Sequence, residues 1–112
     1  MAQQKKLMKI ESIKLGYGGY QDAMFGLTVV FAGQDCGCTD FNGFWSQTTK
    51  CTDNSKWDEI DRSSQFDVVM RQIDQLLINA KKRSLNDLIN VPVEVVFLDS
   101  RLESWRILTE VI

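Results

Sequence analysis

LMKIESIKLGY, Leu7 to Tyr17, alternates apolar and polar residues with the period of a half-buried strand, and does so with one fault. Met8 and Ile10 fall on one parity and Ile13, Leu15 and Tyr17 on the other. The strand is therefore expected to carry a bulge near Glu11 and Ser12. Beyond it, GYGGYQDAMFG (16–26) is rich in turn formers and reads as a wide hairpin connection, after which Phe25 to Ala32 returns as a second strand. Gly33-Gln34-Asp35 is the next turn. Cys36 to Gln47 is a third, less regular strand bearing Phe41, Phe44 and Trp45, which completes an antiparallel meander.

The period then changes. Phe66, Val69, Met70, Ile73, Leu76, Leu77 and Ala80 step by three and four, so residues 66 to 80 should form one helix with an apolar stripe laid on the sheet. The polar run Thr48 to Ser55 ends three residues before Asp58, a spacing that resembles a helix cap. Asp58, Glu59 and Asp61 before the stripe and Lys81, Lys82 and Arg83 after it match the helix dipole, while Trp57 and Ile60 are out of phase with the stripe. Ser84 and Asp87 repeat the cap signal for a short second helix closed by Asn90 and Pro92. Val93 to Leu98 and Leu102 to Val111 are β-rich runs joined by a turn at Asp99-Ser100-Arg101. Trp105, Ile107, Thr109 and Val111 are expected on one face, with Leu102, Ser104, Arg106, Leu108 and Glu110 on the other. The expected fold class is α+β: a single domain, 1–112, with an antiparallel sheet, order βββααββ and one long helix packed on the sheet.

Composition agrees with one globular domain. The chain has 112 residues, 44% of them apolar and 25% charged. With 13 basic and 15 acidic residues the net charge is −2, and neither half is a basic arm, so duplex nucleic acid is not an expected partner. The absence of histidine removes histidine-activated nucleophiles, histidine zinc ligands and imidazole switches. Met1 to Lys6 leads into no apolar secretory core and no run approaches a membrane span, so a cytoplasmic protein without membrane contact is expected. Three cysteines, Cys36, Cys38 and Cys51, fit reduced thiols better than a disulfide framework. Asp35, Asp40 or Asp53 is available as a further metal ligand, but the spacing is not that of a paired zinc site, and neither metal nor cofactor is expected.

Three groups of residues stand out chemically. Gly16-Tyr17-Gly18-Gly19-Tyr20 combines backbone freedom with two flat phenol rings, as a ligand lip or as a hairpin turn with tyrosines folded over the sheet; it lacks dinucleotide-fold spacing. Phe41, Phe44, Trp45 and Trp57 bracket the polar loop before the helix, where they either roof the core or offer stacking faces. Arg106 lies among apolar residues. It is expected to pair with Glu94 or Glu110, or else with a phosphate or carboxylate from outside. No spacing marks a carboxylate dyad, and no nucleophile and base are evident.

Two stretches, ESIKLGYGGYQDAMFGLTVVFAG (11–33) and KWDEIDRSSQFDVVMRQIDQLLINAKKRSLNDLINVPVEVVFLDSRLESWRILTEVI (56–112), resemble a group of small phage and prophage accessory proteins, mostly of unassigned function. That resemblance implies an α+β fold working in the host bacterial cytoplasm. In size and element order the chain is also similar to Thoeris anti-defence proteins, which sequester cyclic ADP-ribose signals without cleaving them; this similarity is one of architecture. It implies a non-enzymatic inhibitor that sequesters a nucleotide-derived signal. Tyr17, Tyr20, Trp45 and Arg106 are expected to bind it by their own chemistry, the aromatics stacking on a base and the arginine meeting an anionic group. The alternative is a protein-binding antagonist of a host defence factor, anti-CRISPR-like, or of a replication factor. Hydrolysis of a small nucleotide is a third reading, for which no ligand cluster is visible. A homo-oligomer is expected, with contacts through Tyr17, Tyr20 and Phe41 to Trp45.

Overall fold

The computed structural model describes residues 2–112. Five strands, β1 (Gln3–Gly18), β2 (Met24–Ala32), β3 (Gly37–Trp45), β4 (Pro92–Leu98) and β5 (Arg101–Ile107), form one antiparallel sheet in the order β3-β2-β1-β4-β5, with the single helix α1 (Glu59–Ala80) on one face. No helix among the described residues is long and apolar enough to cross a membrane.

The N-terminal strand is central because it is long enough to serve two hairpins. Its first half pairs with β4 from Gln3 to Lys9 and its second half with β2 from Lys9 to Gly18. The register with β2 slips between Ile10 and Ser12, where the change of parity in the sequence placed a bulge. The slip brings Met8, Ile10 and Ile13 together in the core with Leu27, Val29 and Phe31 of β2 and Val93 and Val95 of β4. The helix closes that core with Val69, Leu76 and Ala80.

Several expectations are corrected. The order βββααββ becomes βββαββ, because Leu85–Leu88 is a single 3-10 turn and not a second α-helix. Its capping box between Ser84 and Asp87 is formed, but Ile89 is extended and Asn90 is left-handed (φ 72°), so no hydrogen-bond ladder propagates. The helix cap is Asp58, not the expected Ser55: the Asp58 carboxylate accepts from the Asp61 N–H at 2.9 Å and the Asp61 carboxylate from the Asp58 N–H at 3.0 Å. The Ser55 hydroxyl accepts from the Thr52 N–H instead. Met70, expected on the buried stripe, sits at its exposed rim, and Trp57 precedes the helix. The last strand ends at Ile107, with Thr109–Val111 in a 3-10 turn. A second register slip, between Val96 and Phe97, pairs Phe97 with Leu102 and Val95 with Trp105, so Leu102 packs toward the core with Trp105 and Ile107 rather than opposite them.

Candidate functional site

The GYGGYQD stretch turns more tightly than expected. β1 runs through Gly18, and Gly19 to Ala23 form the reversal, with Tyr20–Asp22 in a 3-10 turn. Gly19 has φ 68°, a backbone conformation that residues with side chains rarely adopt, so glycine is required there. Gln21 (φ 52°) and Asp22 (φ 54°) are also left-handed, a costly conformation for residues with side chains. This strained turn holds Tyr20 out in solvent, 67% exposed, with its ring edge-on to Trp45 at a centroid distance of 6.4 Å.

Tyr17 diverges from this pair. Its ring lies on the helix side of the sheet, edge-on to Phe25 at 5.7 Å, and Phe25 continues to Phe66 of α1 at 6.0 Å. Trp45 pairs with Met24, on the opposite parity of β2 from Phe25, so Tyr20 and Trp45 mark the face that the helix leaves uncovered.

Arg106 is not part of this group. It lies on β5, across β4, β1 and β2 from β3, and its guanidinium is engaged by Glu110 at 2.9 and 3.0 Å and by Glu94 at 3.3 Å. The internal pairing anticipated for this residue is formed with both candidate partners. Hydrogen bonds from Arg106 pull the Glu110 carboxyl down to about 2, while the same contact with Glu110 raises the guanidinium further above its ordinary range. The structure thus brings Tyr20 and Trp45 together, places Tyr17 nearby on the other face, and separates Arg106 from all three.

The sequence reading passed over Arg62. Only 4% exposed, it directs Nε and one terminal nitrogen at Glu59, and its remaining donors at the carbonyls of Trp45, Ser46 and Thr49. All five guanidinium N–H donors have an acceptor. Its plane lies over the Trp57 ring at 4.7 Å, and Trp57 is edge-on to Phe44 at 5.3 Å. Arg62 therefore ties the start of α1 to the end of β3 and anchors Trp45 through its backbone. A signal existed: stepping back four residues from Phe66 along the apolar stripe lands on Arg62, a charged residue on a core-facing position.

Beside this anchor is a shallow depression of about 420 Å³ between Phe44, Trp57, Lys56, Asp61, Gln65 and Val68. The cysteines are free thiols, and burial, followed by the proximity of Cys36 and Asp40, raises the pKa of Cys38. No cluster of three or more metal-ligating side chains is formed among the described residues.

No protein-family model, no curated protein and no solved structure matches the chain.

Proposed function

We propose that this protein is a non-catalytic, stoichiometric antagonist of the phage type, and that its Tyr20–Trp45 end is the surface with which it grips a protein partner, a host defence or replication factor. One observation carries the reading: a turn with two left-handed non-glycine residues holds a tyrosine in solvent against a tryptophan that a buried arginine anchors. Left-handed residues also close the turns at Lys81, Asn90 and Asp99-Ser100, so the weight of the reading falls on the exposed aromatic pair that this turn presents. Tyrosine and tryptophan are the residues that most often dominate protein interfaces, because each buries a large rigid area at small conformational cost.

The nucleotide-sequestering reading ranks second. A tightly held small ligand is usually buried over most of its surface, and Arg106, the residue expected to meet its phosphate, is engaged by two carboxylates away from the aromatic pair. What favours it is the depression between Phe44 and Trp57, where Lys56 stands beside two aromatic rings.

Affinity capture from a bacterial lysate with wild type, Tyr20→Ala and Lys56→Ala separates the two. A polypeptide retained by wild type and Lys56→Ala but lost with Tyr20→Ala, by at least about 30-fold for an anchor worth 2 kcal/mol, supports the protein antagonist. Nucleotide released on denaturing wild type and reduced in Lys56→Ala supports sequestration.

A further inference from the structure

β1 outlasts its partner on one side. β4 covers it only from Gln3 to Lys9, and the last main-chain bonds on that side are made by Ile10, which donates to Val91 at 3.1 Å and accepts from Asn90 at 2.7 Å. From Ser12 to Gly18 this edge has no partner strand among the described residues. Its polarity follows from the neighbouring strands. Ala23 turns its carbonyl toward β3, where it accepts the Ser46 N–H; alternation then turns Met24, Gly26, Thr28 and Val30 toward β1, opposite Gly18, Gly16, Lys14 and Ser12. Ile13, Leu15 and Tyr17 consequently aim their N–H and C=O groups out of the open edge.

The other two edges differ from it. β5 is interrupted by its register slip and carries Arg101, Glu103 and Arg106. β3 turns Thr39, Phe41, Gly43 and Trp45 to its own open edge, where Trp45 already belongs to the aromatic pair of the proposed partner surface. The β1 edge instead presents Leu15, 39% exposed, and Tyr17, 54% exposed, beside a wholly apolar recess of about 200 Å³ formed by Leu15, Phe25, Phe66, Val69 and Met70. Unguarded apolar edges are templates for strand addition.

We infer that this edge pairs with a second copy of the same chain, antiparallel about a two-fold axis at Leu15, joining two five-stranded sheets into one of ten. The sequence of the strand selects both occupant and register. Centred on Leu15, the pairing sets Leu15 against Leu15, Ile13 against Tyr17 and Lys14 against Gly16, and uses the whole edge from Ser12 to Gly18. Apolar side chains meet apolar ones and no like charges face each other. A centre at Lys14 sets that lysine against itself. A centre at Gly16 shortens the ladder to Lys14–Gly18, and a centre at Ile13 drives the partner into β4 and the bulge. The Tyr20–Trp45 surface is not consumed, so this inference stands apart from the proposed function.

Light scattering at tens of micromolar tests it. Wild type is expected at twice the 12.8 kDa chain mass, and a monomer overturns the proposal. Leu15→Lys and Leu15→Glu, each at a partly exposed position, should be folded monomers by circular dichroism, because each sets a like charge against itself. Mixing the two should restore the dimer, since residue 15 faces its own copy only in the Leu15-centred register. A dimer that persists in both variants, or a mixture that stays monomeric, overturns it. Tyr17→Lys and Tyr17→Phe, at a position 54% exposed, are a second reading should the Leu15 variants fail to fold: loss of the dimer is expected in the first and retention in the second, and retention in Tyr17→Lys counts against the edge.

Discussion

The indole N–H of Trp105 on β5 donates to the carboxylate of Asp40 on β3 at 3.0 Å, joining the two outermost strands of the sheet. Strands four places apart in a flat sheet would be separated by about 19 Å. The contact therefore requires a strongly coiled sheet, and the bulge in β1 lets its two halves turn toward each other. Trp105 also packs edge-on against Phe31 at 4.9 Å, so the clasp is set in the core. Asp40→Ala should leave the indole N–H without its acceptor and cost about 1 to 3 kcal/mol. Trp105→Phe with Asp40→Ala should cost less than the two changes added, as a urea double-mutant cycle would read; strict additivity would mean that the clasp carries no coupling.

Arg62→Ala should be among the most damaging single changes, at about 1 to 3 kcal/mol for each acceptor left buried without a donor, because it strands backbone carbonyls of Trp45, Ser46 and Thr49 and removes the support of Trp57. Arg62→Lys should not rescue it, since an ammonium cannot span this fork. Chemical denaturation gives the loss of stability. Limited proteolysis should show early cleavage within residues 46–58, and a loop as protected as in wild type would refute the anchoring role.

Two glycines of the sheet should respond in opposite senses. A Cβ on Gly26 would run into the Asn42 carbonyl oxygen, a backbone atom that cannot swing away, so Gly26→Ala should destabilise strongly. At Gly16 nothing lies within 4 Å. Gly16→Ala should be neutral or stabilising by about 0.4 to 1 kcal/mol through the unfolded chain, and thermal melts of the pair test the contrast.

The Arg106–Glu110 pair should give a small acid-labile contribution. Glu110 is lowered from 4.5 to about 2, first by the Arg106 hydrogen bonds and then by its own backbone. A carboxyl depressed in the folded state stabilises fully above its unfolded pKa and loses that contribution as the pH falls through its folded pKa, here between 4.5 and about 2. The pair is exposed, so salt should weaken the effect. An NMR titration should place the Glu110 midpoint near 2, and Arg106→Ala should raise it toward the ordinary range of about 4.3; a wild-type midpoint already in that range would refute the pairing in solution.

The three cysteines should be dispensable for folding. Replacing Cys36, Cys38 and Cys51 by alanine or serine should shift stability within the usual range of about 0.5 to 3 kcal/mol per site. Cys38, raised by burial, should alkylate most slowly of the three near neutral pH. Stoichiometric zinc in purified wild type, or fastest alkylation at Cys38, would contradict this.

What the residues determine alone is whatever is encoded over a few neighbours. The change of parity between Ile10 and Ile13 locates a bulge and the stripe from Phe66 to Ala80 locates a helix, because alternation and helical pitch are local properties; for Arg106 the sequence left Glu94, Glu110 and an external anion all open, since one partner lies across the sheet on β4 and the other beyond the end of β5. The four-residue turn at Leu85–Leu88 was overread for a related reason: a capping box marks where a helix can begin and says nothing of whether it propagates. Tertiary structure alone decided that the N-terminal strand is central, that its far edge is left open, that Arg62 is buried, and that Arg106 lies apart from Tyr20 and Trp45. Each depends on which distant strands close on one another, and that choice is made by burial over the whole core, to which no single stretch of sequence carries the answer.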